Sequence, residues 1–203
     1  MSVLVSRKAP NFNTAAVLPN GEIENNFQFY DKTKGKYTVL FFYPLDFTFV
    51  CPTELIALHK SIDEFKSRGV EVMTVSIDSQ FTHAAWRNTA IKNGGIGNVD
   101  FTMLADTSHE ICRIYGVEHF DENVAFRATF IIDQNKVVRS QQVNDLPIGR
   151  NVNEILRTID SLQHFEQHGE VCPMGWEKGD SGMQPNAHGV ASWLSGKYEV
   201  EEA

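Results

Sequence analysis

Apolar positions fall along the chain in two rhythms. The near-continuous runs YTVLFFY (37–43) and VEVMTVSID (70–78) predict strands buried on both faces. Between them, CPTELIALHKSIDEFKSRG sets Leu55, Leu58, Ile62 and Phe65 at helical spacing. Pro52 suits its first turn and Gly69 its stop, so a helix is expected over 51–69. SQFTHAAWRNTAIK predicts a second helix ending before the loop NGGIGN, and FTMLAD predicts a short strand. In TSHEICRIYG, Thr107 and Glu110 stand in the capping-box relation, so a helix should begin there. VAFRATFIID and KVVRSQQV predict two strands joined by the turn DQNK. NVNEILRTIDSLQHF predicts a helix with Val152, Ile155, Leu156, Ile159 and Leu162 on one face. Strands alternating with helices, then a strand pair and a closing helix, indicate an α/β domain around a mixed sheet over 1–166. From 167 the texture changes. HGEVCPMGWEKGDSGMQPNAHG is rich in Gly, Pro and polar residues, and only VASWLSGKY suits a last helix, so 167–203 is expected to be an arm.

The 203 residues suffice for one domain with a full core, and no internal repeat or low-complexity run interrupts them. A formal charge of −8 and a pI near 5.3 argue against nucleic acid and against anionic membrane surfaces as partners. No stretch approaches a membrane span. The start MSVLVSRKAPNF is too short and too soon charged for a signal peptide, so the cytoplasm is the expected compartment. The three cysteines, Cys51, Cys112 and Cys172, lie about sixty residues apart without a Cys-x-x-Cys pair, and the seven histidines are scattered. A metal site is therefore not expected.

Cys51 is the informative cysteine. It opens a helix directly after a buried strand, where unpaired N–H groups and the helix dipole favour an anion. A thiol there gives up its proton more readily, and the thiolate is the reactive form. Free cysteine is also among the most buried residue types, so position alone leaves a structural role open. Its neighbours point to chemistry. Pro44 ends the strand and walls off one side without a donor. Thr48 lies three residues before Cys51, with a hydroxyl that could meet the sulfur. Arg127 sits in an apolar strand, where it needs an anion such as a thiolate or Glu54, unless it lies on the exposed face of an edge strand. Cys112, beside Ile111 on an apolar helical face, is expected to be a small core residue.

FFYPLDFTFVCPTE resembles the active-site signature of peroxiredoxins, specifically the typical two-cysteine subfamily that includes the peroxidase component of alkyl hydroperoxide reductase. VSIDSQFTHAAW, VAFRATFIID, VNDLPIGR and GEVCPMGW resemble further family segments, so the similarity runs essentially from residue 3 to 180. It implies a thioredoxin fold with an N-terminal extension and a C-terminal arm. It implies that hydrogen peroxide or a small organic hydroperoxide is reduced by Cys51, leaving a sulfenic acid, with no cofactor. By the same resemblance, Thr48 hydrogen-bonds thiol or peroxide, Arg127 stabilises the reacting charge, and Glu54 and Arg150 hold Arg127. Cys172 is implied to be the resolving thiol from the other subunit of a dimer. The resulting disulfide is implied to be reopened by thioredoxin or a dedicated flavoprotein reductase, and five dimers to close into a decamer. A thiol-disulfide oxidoreductase on the same fold is disfavoured, because Glu54 stands where its second cysteine belongs and no proline precedes Ala128. A non-enzymatic holdase chaperone or signalling scaffold is the other alternative. Family members readily overoxidised by substrate pair a Gly-Gly-Leu-Gly loop with a C-terminal Tyr-Phe. Here the loop reads GGIG (94–97), and Trp193 and Leu194 stand at the corresponding tail positions.

Overall fold

The apolar run at 37–43 lies in the interior of a seven-stranded sheet, and everything near Cys51 is placed by that fact. The computed structural model describes residues 3–198. In chain order they form β1 (Asn13–Val17), β2 (Ile23–Gln28), α1 (Phe29–Lys32), β3 (Tyr37–Phe42), α2 (Cys51–Lys60), α3 (Ile62–Ser67), β4 (Val70–Ser76), α4 (Gln80–Asn88), β5 (Thr102–Ala105), α5 (Glu110–Ile114), β6 (Arg127–Ile132), β7 (Val138–Asn144), α6 (Val152–His168) and α7 (Ala187–Lys197). The strand order is β2-β1-β5-β4-β3-β6-β7. β3 runs parallel to β4 and β4 to β5, while β6, β7, β1 and β2 join antiparallel, which makes the sheet mixed.

By internal packing the chain divides into two units, Met1–Val152 and Asn153–Ala203. In the first, Val39, Leu40, Phe41 and Phe42 of β3 are all buried. Phe42, Tyr115 and Phe130 meet edge-on or tilted at 5.1–5.7 Å between ring centres. Each such ring stabilises by roughly 1.5–3 kcal/mol through burial and each pair by about 0.5–1.5 kcal/mol more. Cys112 belongs to this core. Burial, then the nearby Asp106 carboxylate, push its thiol pKa far up, which makes it inert at neutral pH.

Three local features differ from the sequence pattern. The helix expected over 51–69 breaks at Ser61 (φ −101°, ψ 9°) into α2 and α3, with Leu58, Ile62 and Phe65 all kept buried. α5 begins without a side-chain cap from Thr107. His109 there is left-handed (φ 61°), and the Asp106 carboxylate accepts from the Ile111 and Cys112 N–H groups at 3.0 and 2.8 Å. The hairpin β1–β2 adds two strands that apolar runs do not announce. In the C-terminal unit, α6 is followed by a loop pinned by the Val171–Met183 bridge, and the Asn186 side chain caps α7 by accepting from Gly189 N–H at 2.8 Å.

Candidate active site

β3 ends at Phe42, and the chain continues through Tyr43, whose N–H reaches the Val75 carbonyl at 3.0 Å. Pro44 follows, buried and without an N–H to offer. A turn over 45–50 delivers Cys51 to the first position of α2, where its side chain is fully buried. Antiparallel pairing of β6 with β3 sets Arg127 at the same end of the sheet. Arg127 Nη1 donates to Cys51 Sγ at 3.4 Å and to Glu54 Oε2 at 2.9 Å, and its Nε donates to the Leu146 carbonyl at 2.5 Å. Arg127 is 4% exposed, so the edge-face alternative for this residue does not hold.

Glu54, one turn into α2, is the hub. Arg150 donates to it three times, from the backbone N–H (2.8 Å), Nε (2.9 Å) and Nη2 (2.8 Å), and Arg127 donates once more. These four donors use the acceptor positions of a carboxylate. Burial pushes the Glu54 carboxyl up, but the Arg150 hydrogen bonds and the charges of both arginines outweigh it and hold the group below the ordinary carboxylate range. Arg150 in turn donates to the Ala128 carbonyl at 2.7 Å and lies 3.2 Å over the centre of the Phe41 ring. Two buried guanidiniums facing one carboxylate leave a net positive charge beside the Cys51 sulfur.

The structure thus brings Cys51, Glu54, Arg127 and Arg150 together. Thr48 is placed differently from the simplest expectation. Its hydroxyl donates to the Leu45 carbonyl at 2.9 Å, and no hydrogen bond joins it to Cys51 among the described residues. That bond leaves the Thr48 oxygen free to accept. Cys172 lies in the C-terminal unit, half-buried, with Sγ 3.5 Å from the Ser161 carbonyl, and all three cysteines are free thiols. Burial, partly offset by Ser161 and Arg157, raises the Cys172 thiol above its ordinary value. In the GGIG loop, a Cβ on Gly95 would stand 1.9 Å from the Thr89 carbonyl oxygen, so that position accepts only glycine. On α7, Trp193 is half-buried and Leu194 exposed.

A polar network beneath the turn escaped the sequence reading. Asp46 accepts from the Tyr43 hydroxyl at 2.6 Å and meets His83 Nδ1 at 2.8 Å, while its own N–H donates to Asp78 at 2.8 Å. His83 Nε2 faces the Leu104 carbonyl at 3.2 Å. Burial, then Asp46, raise the Tyr43 phenol well above its ordinary value, so it serves as a donor. The turn that presents Cys51 is therefore fixed to β4, α4 and β5. An acid inside the aromatic stretch PLDFTF was the available signal.

Among the described residues no cluster of histidine, cysteine, aspartate and glutamate is suited to a metal ion, and no helix is long and apolar enough to cross a membrane. The fold and site define a protein with one arginine-held cysteine at a strand-to-helix turn of a thioredoxin-type sheet. Comparisons with known proteins give that class its family. Residues 5–141 match the AhpC/TSA family, and residues 161–196 match the C-terminal domain of 1-Cys peroxiredoxin. The chain is 50% identical to alkyl hydroperoxide reductase C of Buchnera aphidicola subsp. Schizaphis graminum over 96% of its length and 98% of the relative's. It is 51% identical to alkyl hydroperoxide reductase C of Helicobacter pylori, covering 95% and 96% of the two chains. The crystal structure of reduced Plasmodium vivax 2-Cys peroxiredoxin superposes with a TM-score of 0.90 at 46% identity, covering 96% of this chain and all of that one. The chain belongs to the AhpC/TSA family as a typical 2-Cys peroxiredoxin, and it is a thiol-dependent peroxidase.

Proposed function

We propose that Cys51 is the sulfur that attacks the peroxide. An S–O bond forms as the O–O bond breaks. The distal oxygen takes a proton and leaves as water or an alcohol, and Cys51 becomes a sulfenic acid. Arg127 donates to sulfur and to the departing oxygen, and fixed donors of this kind usually supply the largest part of catalysis. Glu54 and Arg150 hold the Arg127 fork in place. Thr48, through its free lone pair, accepts from the thiol or the hydroperoxide proton, and Pro44 keeps water from one side. The observation that carries this reading is the Arg127 Nη1 atom, 3.4 Å from Cys51 Sγ and 2.9 Å from Glu54.

Cys172, in an arm over 167–203, is proposed as the resolving thiol. It condenses with the sulfenic acid of the partner subunit and releases water, which leaves an intersubunit disulfide. A dithiol donor, thioredoxin or a flavoprotein disulfide reductase, takes over that disulfide and regenerates both thiols. Glycines with left-handed backbone at 169, 175 and 179 support a deformable arm. Exposed Phe47, Phe49 and Phe81 form apolar surface on the active-site turn and α4, which supports association of dimers into a decamer. The cytoplasm, which keeps such thiols reduced, is the proposed compartment.

The test measures peroxide consumption with each reductant for the native chain, Cys51→Ser and Cys172→Ser. Cys51→Ser should be inactive. Cys172→Ser should complete one reduction per chain and form no linked dimer on a non-reducing gel. Undiminished consumption by Cys51→Ser would refute the assignment.

A further inference from the structure

A second site lies away from Cys51, beside the β1–β2 turn, where a cavity of about 220 Å³ is lined by Pro19, Asn20, Gly21, Arg87, Asn88 and Asn98. Its wall holds an arginine that no carboxylate of the described residues pairs with directly. Arg87, on α4, is 4% exposed. Its Nη1 donates to the Leu18 carbonyl at 2.5 Å and its Nη2 to the Pro19 carbonyl at 2.8 Å. A guanidinium carries five N–H donors. Two are used, and the others meet no acceptor among the described residues.

No carboxylate pairs with Arg87 there either. Asp100, the acid whose charge reaches it, is bound by Lys66. The other deeply buried arginines, Arg127 and Arg150, share Glu54 instead. Carbonyl dipoles offset only part of the cost of burying a full charge, so an anion in the cavity would gain from the Arg87 guanidinium. The rim supplies further donors. Asn20 Oδ1 accepts from Glu22 N–H at 3.0 Å, which leaves its amide NH₂ free. The Asn88 and Asn98 side chains are exposed and make no hydrogen bond among the described residues. No acidic side chain lines the cavity, although the chain carries a net charge of −8.

We propose that this cavity binds a small oxyanion, a phosphate or carboxylate group, with Arg87 supplying the charge and the Asn20, Asn88 and Asn98 amides completing its coordination. The volume lies below the range of roughly 300–1,000 Å³ usual for drug-sized ligands. A free anion or one terminal group therefore fits, and a whole cofactor does not. None of the residues around Cys51 takes part, so the site stands or falls independently of the peroxidase mechanism.

The test titrates reduced full-length protein with inorganic phosphate, followed by ³¹P line broadening, and separately with acetate, followed by saturation transfer. Chloride keeps the ionic strength constant in both. At least one anion should bind saturably with a Kd below about 10 mM. Phosphate binding alone assigns a phosphate source, and acetate binding alone a carboxylate source. Arg87→Gln should weaken binding at least tenfold. Should that variant not fold, Asn98→Asp decides, because it leaves Arg87 in place and sets a carboxylate at an exposed rim position. It should weaken binding about tenfold by charge repulsion. Absence of binding by either anion overturns the proposal. So does binding that survives Asn98→Asp, or that survives Arg87→Gln in folded protein.

Discussion

Replacing Glu54 by glutamine changes one oxygen to an NH₂ group and removes one charge at nearly constant volume. The side chains of Glu54, Arg127 and Arg150 are 3%, 5% and 1% exposed, so water cannot take over the lost interactions. Two guanidiniums would then face each other across a neutral amide that points donors at donors. At an effective dielectric constant near 20, one charge pair at 4 Å is worth about 4 kcal/mol. Removing one member of a buried pair typically costs about 3–5 kcal/mol, because the remaining charge stays buried. Glu54→Gln should therefore lose about 3–5 kcal/mol in urea unfolding at pH 7, measured at one fixed protein concentration. The pH dependence gives the sign. The Glu54 carboxyl is held down in the folded chain, so its contribution is full above the unfolded carboxylate value of about 4.3 and fades as pH falls through the folded one. The gap between native and variant should be constant from pH 8 to 6 and shrink below pH 5. A loss under about 1 kcal/mol at pH 7, or a gap that widens in acid, would refute the charge-pair account.

Arg127→Gln should slow the reaction of reduced protein with hydrogen peroxide by about 10²–10³-fold in stopped-flow measurement, the usual cost of one aimed donor. Arg127→Lys should not restore it, because one ammonium group cannot span Cys51, Glu54 and the Leu146 carbonyl. Asp46→Asn should weaken the clamp under the turn and cost about 1–3 kcal/mol in unfolding, with a loss of peroxide reactivity on top; stability and rate both at native level would show that the network is idle. Cys112→Ser should leave turnover near the native rate, since that thiol is buried and held protonated in the core.

Among the strands, those buried on both faces are the plainest to read from sequence. β3, β4 and β6 show as mostly apolar runs because both of their faces are covered. β1 and β2 did not show, because NTAAV and IENNFQ are largely exposed at one end and on one face. The start of α5 was placed two residues early and with the wrong cap. Asp106 reaches forward five and six residues, beyond the three-residue spacing on which capping rules rest. At the site, residue types and order indicated Cys51, Arg127 and Glu54, since a lone charge in an apolar run needs a partner, whereas Arg150 was indicated by the family resemblance alone. The geometry that joins Glu54 to Arg150 spans 96 positions, and Asp46 to His83 spans 37. Local pattern carries no information on such contacts. Only the fold reveals the buried acid that His83 faces.

If one arginine-held sulfur performs the chemistry, peroxide must oxidise that atom, and the oxidised atom can be labelled. Reduced Cys172→Ser protein is mixed with one equivalent of hydrogen peroxide in the presence of a sulfenic-acid trap such as dimedone, then digested and mapped by mass spectrometry. A stoichiometric adduct should form on Cys51 and none on Cys112. An adduct confined to Cys112, or peroxide consumed with Cys51 left unmodified, would contradict it.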